Sequence, residues 1–203
     1  MTSEPRLNLP FSQSCENNKQ VILAQLRDLF SGSKNVLELA SGTGQHATWF
    51  CEHMPWLHWQ PTELASNLAT LKPRCEAYAG ANLAGPLSLD VCERPWPVPV
   101  SDAIFTANSL HIMPMSAVEG LFRALGPLAT AGTVLAVYGP FNYGGDYSSD
   151  SNARFDQWLL QQHPLSAIRD FEWVDELARI AGFELLRDTA MPANNRLLAW
   201  RRL

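Results

Sequence analysis

The stretch Asn35-Val36-Leu37-Glu38-Leu39-Ala40-Ser41-Gly42-Thr43-Gly44-Gln45-His46-Ala47 decides the fold. Its first six residues form a short apolar run broken by one acid, the length of a buried strand, and the run ends at Ser41-Gly42-Thr43-Gly44. Beyond that break Ala47, Phe50, Cys51 and Met54 recur at i, i+3, i+4 and i+7, so a helix follows until Pro55. A strand, a glycine turn and a helix in that order open an α/β fold, in which ligands sit beyond the carboxyl ends of parallel strands. Glycines at such a turn let the backbone approach a ligand and leave helix N–H groups pointing at it. Residues 42–47 also satisfy the dinucleotide pattern GxGxxA, so the turn alone leaves two kinds of nucleotide open.

The same alternation continues on both sides. After a loose segment, residues 1–14, Val21, Ile22, Gln25, Leu26, Leu29 and Phe30 line one face of a helix that Ser31-Gly32-Ser33 stops. Further strands are expected at 57–62, 86–90, 103–108 and 133–138, with helices at 66–78 and around 118–125, the second ending near Gly126-Pro127. Residues 141–151, rich in Gly, Tyr, Ser and Asp, read as a long loop. Helices near 152–162 and 171–181 precede two final strands, 183–189 and 196–201. No crossover helix separates these two, so they pair as a hairpin, the last strand antiparallel to its neighbour. The expected architecture is α/β: a seven-stranded Rossmann-like sheet, mostly parallel with an antiparallel C-terminal hairpin and helices on both faces. Residues 15–203 form it as a single domain.

The 203 residues are 46% hydrophobic and 17% charged, enough apolar material for one sizeable core. Lys and Arg number 15 against 20 Asp and Glu, a formal charge of −5 that argues against a dedicated nucleic-acid binder. No apolar run approaches the ~18–20 residues that span a bilayer. Residues 1–11 lack the apolar centre of a secretory signal. Cys15, Cys51, Cys75 and Cys92 are scattered without a CxxC pair or a metal-ligand cluster, which reads as free thiols in a reducing cytoplasm. The expectation is a soluble, cytoplasmic protein without membrane or nucleic-acid partners.

Two features separate the nucleotide classes. Glu38 stands within the first strand, four residues before Gly42, where a dinucleotide fold is normally apolar. A carboxylate there suits the sulfonium and α-amino group of S-adenosyl-L-methionine (AdoMet) and would repel a pyrophosphate. The chain length also leaves no room for a substrate domain beside a dinucleotide-binding one. AdoMet is therefore favoured over NAD(P). Glu63, ending the second strand, is placed to take ribose hydroxyls in either case.

Residues 36–44 resemble motif I of the class I AdoMet-dependent methyltransferases, with Ala40 in place of the first of its three usual glycines. More specifically, the chain resembles the DUF938 family, also called UPF0585 or methyltransferase-like 26. The match runs through Leu39-Ala40-Ser41-Gly42-Thr43-Gly44-Gln45-His46, Trp59-Gln60-Pro61, Leu89-Asp90-Val91 and Tyr138-Gly139-Pro140-Phe141. Ser151-Asn152, Phe155-Asp156, Ile168-Arg169-Asp170 and Met191-Pro192-Ala193-Asn194-Asn195 extend it, so that it covers about Cys15 to the C-terminus. The resemblance implies AdoMet as cofactor, with Glu38, Ser41, Gly42 and Gly44 facing its methionine part. It implies that Glu63 accepts both ribose hydroxyls and that Asp90 takes the adenine amino group, with Val91 packed on the ring. Asn108 and Ser109 would line the methionyl side near the methyl. For Asp90, capping of the next turn is the alternative. Where family members often read Arg-Asn-Lys, this chain has Asn17-Asn18-Lys19, which leaves Lys19 as the substitute cation for the methionine carboxylate. Thr62-Glu63 stands for the common Ser-Asp.

Methyl transfer is an in-line displacement at carbon that rests mostly on alignment and desolvation, and a base is needed only where the acceptor must lose a proton. His111, three residues beyond Asn108, is the one His on a strand-end loop at the crevice and the candidate acid/base, with a structural hydrogen-bonded role as the alternative. Tyr138 is the second catalytic candidate, whereas His46 reads as a packing or capping residue. The loop 141–151 and the segments after it should close the acceptor pocket, with Phe141, Asn152, Asp156, Arg169 and Asn194 as substrate-binding candidates. Arg169 could clamp a carboxylate or phosphate, or pair with Asp170 or Asp156. Asn108-Ser109-Leu110-His111 does not match the Asn/Asp-Pro-Pro-Tyr motif of enzymes that methylate base or amide nitrogen. The expected activity is AdoMet-dependent methyl transfer to a small molecule, with a protein acceptor second. The alternatives are a catalytically silent AdoMet-binding or regulatory protein and an NAD(P)-dependent reductase.

Overall fold

The computed structural model describes residues 9–203, so residues 1–8 of the segment expected to be loose lie outside the described residues. The remainder of that segment is tied down. Arg74 donates to the Pro10 carbonyl at 2.6 Å, and Ser12 caps helix α1 (Gln13–Leu29), its hydroxyl accepting from the Cys15 N–H.

Strand β1 (Asn35–Leu39) pairs in parallel with β2 (His58–Glu63) and β4 (Ala103–Ala107). Strand β2 continues to β3 (Leu87–Ser88), and β4 to β5 (Val134–Gly139). Helices α2 (Gln45–His53), α3 (Leu68–Ala77) and α4 (Met115–Leu128) make the crossovers. Helix α4 ends at Leu128, one residue past the expected Gly126-Pro127. Pro127 lies in its last turn and costs one N–H, yet that turn still closes through the Ala129 N–H to the Leu125 carbonyl at 2.9 Å.

The C-terminal hairpin joins β8 (Phe183–Met191) to β9 (Asn195–Arg202), and the full order is β3-β2-β1-β4-β5-β9-β8. Strand β9 is therefore interior and antiparallel to both β5 and β8, not only to its hairpin partner. Its composition explains the insertion: Leu197, Leu198, Ala199 and Trp200 are all fully buried, whereas Glu184, Arg187 and Asp188 suit β8 to the edge.

The segment 141–151 is not a structureless loop. Strand β6 (Phe141–Asn142) pairs with β7 (Arg169–Asp170) in a second, two-stranded sheet, and Tyr143 and Asp146 exchange backbone hydrogen bonds. Ser149 then caps helix α5 (Asp150–Gln162), and β7 runs directly into α6 (Phe171–Ile180).

Alternation along β1 separates the two cores. Leu37 and Leu39 join Ile104, Leu135, Val137 and Trp200 beneath α4 and α6. Val36 faces the opposite side, with Phe105, Ala136, Trp59 and the buried residues of α1 and α2. The period of two puts Glu38 on the α1/α2 side.

Candidate active site

Strand order reverses between β1 and β4, so the turn after β1 and the loop after β4 form the crevice expected to hold a ligand. Ala40, Gly42 and Gly44 all adopt left-handed backbone, at φ 55°, 56° and 75°. A Cβ at Gly44 would lie 3.0 Å from Leu71, so this glycine serves packing. A Cβ at Gly42 would meet nothing within 4 Å, leaving open space over the turn. Helix α2 begins at Gly44 without a side-chain cap, so its first N–H groups have no side-chain acceptor.

Glu63 closes this turn from β2. One carboxylate oxygen accepts the Gly42 N–H at 2.8 Å, and the other accepts the Leu64 N–H at 2.9 Å and Asn67 Nδ2 at 3.3 Å. The oxygen that accepts the Gly42 N–H retains room for one further donor, whereas the other is filled by Leu64 and by the longer contact from Asn67. Beside it, a cleft of about 470 Å³ opens at the carboxyl ends of β2 and β3, lined in part by Leu64, Ser66, Leu89, Asp90 and Trp96. Asp90 also caps its own turn, accepting the Cys92 N–H at 2.8 Å. Val91 does not line the cleft; it packs into the core beneath α4. The aromatic wall is Trp96, missed in the sequence within its proline-rich run, and its indole N–H is buried with no partner among the described residues.

Glu38 and Ser41 lie beneath the turn. Both are buried, and neither forms a wall of the open cleft. Glu38 accepts the Trp59 indole N–H at 2.9 Å. Ser41 stitches the turn to β2, its N–H donating to the Thr62 carbonyl and its Oγ accepting the Thr62 N–H. Burial pushes the Glu38 carboxyl up to about 7, against the opposing hydrogen bonds of Trp59 and Ser41.

The loop after β4 carries the other candidates. Asn108 is half-buried at φ 56°, a conformation that Asn tolerates better than most residues. Ser109 is buried and bonded to Thr106 at 2.6 Å. His111 is 5% exposed, meets Phe155 edge-to-face at 5.4 Å, and has no hydrogen-bond partner among the described residues. It is held neutral, its value lowered to about 4 by burial and by the nearby Arg169. A Cβ at Gly139 would come within 3.6 Å of His111 Nδ1 and 3.9 Å of Asn108 Oδ1, so these two side chains share the end of β5.

The substrate-binding candidates are mostly occupied in building this region. Phe141 is a core residue. Arg169 donates to the carbonyls of Leu110, Met113 and Leu165 and forms no ion pair among the described residues. Asp156 accepts the Ile168 N–H and the Tyr147 hydroxyl. Asn152 donates to Ser148 and to the Asn194 carbonyl, and the exposed Asn194 donates to Ser151. Lys19 pairs with Glu16 at 2.6 Å and lies over Trp49.

Tyr138 ends β5 on the α1/α2 side, almost fully buried, and burial raises its phenol above the ordinary value. It therefore stays protonated near neutrality. On the same side Asn18, from α1, meets His46 Nε2 at 2.7 Å. Sequence reasoning passed over Asn18 and set His46 aside.

A family model described as "Protein of unknown function (DUF938)" matches residues 9–202. Among solved structures, human N-acetylserotonin methyltransferase in complex with SAM is similar at a TM-score of 0.80 and 15% identity, over 94% of this chain and 53% of that one. An O-methyltransferase family protein from Burkholderia thailandensis gives 0.80 and 15%, over 93% and 57%. PigF with SAH gives 0.76 and 17%, over 94% and 64%. These likenesses show the fold that AdoMet-dependent methyltransferases share. The chain spans little more than half the length of the first two structures and under two thirds of the third.

Proposed function

The chain belongs to the DUF938 family, and from that membership we propose that it is an AdoMet-dependent methyltransferase acting on a small molecule. The observation that carries this reading is the Glu63 carboxylate fixed on the Gly42 N–H, beside open space over the turn and the cleft at the ends of β2 and β3. This donor set fits a sulfonium nucleoside. Glu63 offers a free acceptor site to one ribose hydroxyl and a second in place of its 3.3 Å contact with Asn67, and Asp90 and Trp96 flank the place for a base. A pyrophosphate would meet two acids here.

When bound, AdoMet supplies a methyl group on a good leaving group. The chain's own residues then have to orient the acceptor, exclude water and receive a proton. Neutral His111 has a ring nitrogen free for the acceptor's proton, and Asn108 beside it can orient the acceptor atom. Arg169 holds their loop from beneath. The solved relatives' printed names include small-molecule methyltransferases, which supports a small acceptor here. Four unpaired cysteines support a reducing compartment. Among the described residues no helix is long and apolar enough to cross a membrane.

Incubation of the protein with AdoMet and fractionated cell metabolites, reading S-adenosylhomocysteine, tests the assignment. Release with at least one fraction, and no saturable NADPH binding, is the expected result. NADPH binding without any release would transfer the site to the reductase reading.

A further inference from the structure

We propose that Arg74 is a positioning residue for the cofactor. It clamps a strap, residues 9–12, onto the glycine turn, so that docking of the strap and binding of the nucleoside at the turn favour each other. The proposal rests on the AdoMet reading above and gives a role in it to groups that do not line the cleft.

Three elements meet at the clamp. Arg74 reaches from the last turn of α3. Its Nε donates to the Thr43 carbonyl at 2.9 Å and its Nη2 to the Pro10 carbonyl at 2.6 Å, so one planar fork bridges the turn and the strap. No carboxylate pairs with it among the described residues. Gln45, the first residue of α2, makes the second fastening. Its side-chain oxygen accepts the Ser12 N–H at 2.5 Å and the Thr43 hydroxyl at 3.0 Å, and its NH2 group donates to the Ser12 carbonyl at 3.3 Å. Gln45 is buried, so lifting the strap leaves polar groups of its amide without partners.

The clamp holds one peptide of the turn at both ends. The Thr43 carbonyl goes to Arg74, while the Gly44 N–H donates to the Ser41 carbonyl at 2.9 Å. Arg74 lies against the Gly44 side of the turn, where a Cβ would come within 3.5 Å of its Cδ; at Gly42 a Cβ would meet nothing within 4 Å. The clamp therefore grips the turn from one side and leaves the open side in a fixed shape. Released from Arg74, the Thr43–Gly44 peptide is held at one end only, and a ligand has to order the turn as it binds. Strap and ligand are thereby coupled through the turn, and the coupling is reciprocal.

The test combines calorimetric titration of the whole protein with AdoMet and hydrogen exchange of the Ser12 amide followed by NMR. In the wild type, saturating AdoMet is expected to slow that exchange about tenfold, an ordinary size for coupling between two sites. Arg74→Lys keeps the charge and loses the fork. It should weaken AdoMet roughly tenfold and leave Ser12 exchanging fast even at saturation, with exchange in β1, β4 and β5 unchanged. Gln45→Ala should cost less affinity in the Arg74→Lys background than in the wild type, because the strap is already released. Wild-type binding without slower exchange at Ser12 would overturn the proposal, and this arm stands even if a variant fails to fold. Undiminished affinity in Arg74→Lys, or additive losses in the double variant, would overturn it as well. Failure of the wild type to bind AdoMet would instead overturn the AdoMet reading on which it rests.

Discussion

Ala40 adopts φ 55°, a left-handed conformation that glycine takes without strain. Left-handed backbone costs an L-residue roughly 1–2 kcal/mol, so Ala40→Gly should raise the melting temperature by about 2–4 °C for each kcal/mol relieved. Scanning calorimetry that gave a lower value would mean that the Ala40 methyl contributes more by packing than it costs in strain. Glu38 predicts a pH dependence. Its folded value of about 7 lies above the ordinary 4.5, so the folded chain holds a proton that the unfolded chain has lost, and this group's contribution to stability falls as pH rises from 4.5 to 7. His46 and His111 act in the opposite sense: lowered from 6.5 to about 4, they cost stability as pH falls through that window. Glu38→Gln should therefore stabilise the protein at pH 8, by on the order of 3 kcal/mol, with little gain near pH 5. Urea unfolding at the two pH values checks the direction, and a larger gain at pH 5 would contradict it.

Among the elements, β7 has the largest effect for its length. From it, Arg169 reaches the carbonyls of Leu110, Met113 and Leu165 and so fixes the loop that carries His111. Arg169→Ala leaves buried carbonyls without donors and should cost about 3 kcal/mol or more. Lysine should not rescue it, because an ammonium lacks the planar fork. Urea denaturation measures both variants, and full stability in Arg169→Lys would show that charge alone suffices. This role was not readable in the sequence: two-residue strands such as β6 and β7 carry no periodicity, and tertiary pairing alone creates them. The longer elements were readable because burial on one or both faces imposes a period on them. The interior position of β9 escaped a reading that paired neighbours along the chain, although its run of Leu197-Leu198-Ala199-Trp200 carried the signal.

At the scale of the molecule, a parallel sheet brings successive strand ends to one edge, and for that reason the strand-end positions of Gly42, Glu63, Asp90 and Asn108 could be read in chain order. What could not be read was how the acids divide their work. Glu63 anchors the turn backbone and Asp90 its own, while Glu38 lies buried against Trp59. Nor does sequence spacing reveal Asn18 and His46, which meet only when α1 and α2 pack together. The assignment of this edge to a sulfonium nucleoside is tested most directly by equilibrium dialysis of labelled AdoMet against the wild type and Glu63→Ala, with circular dichroism confirming that the variant folds. Saturable binding at one site by the wild type and none by the folded variant is the predicted result. No binding by the wild type, or equal binding by both, would contradict it.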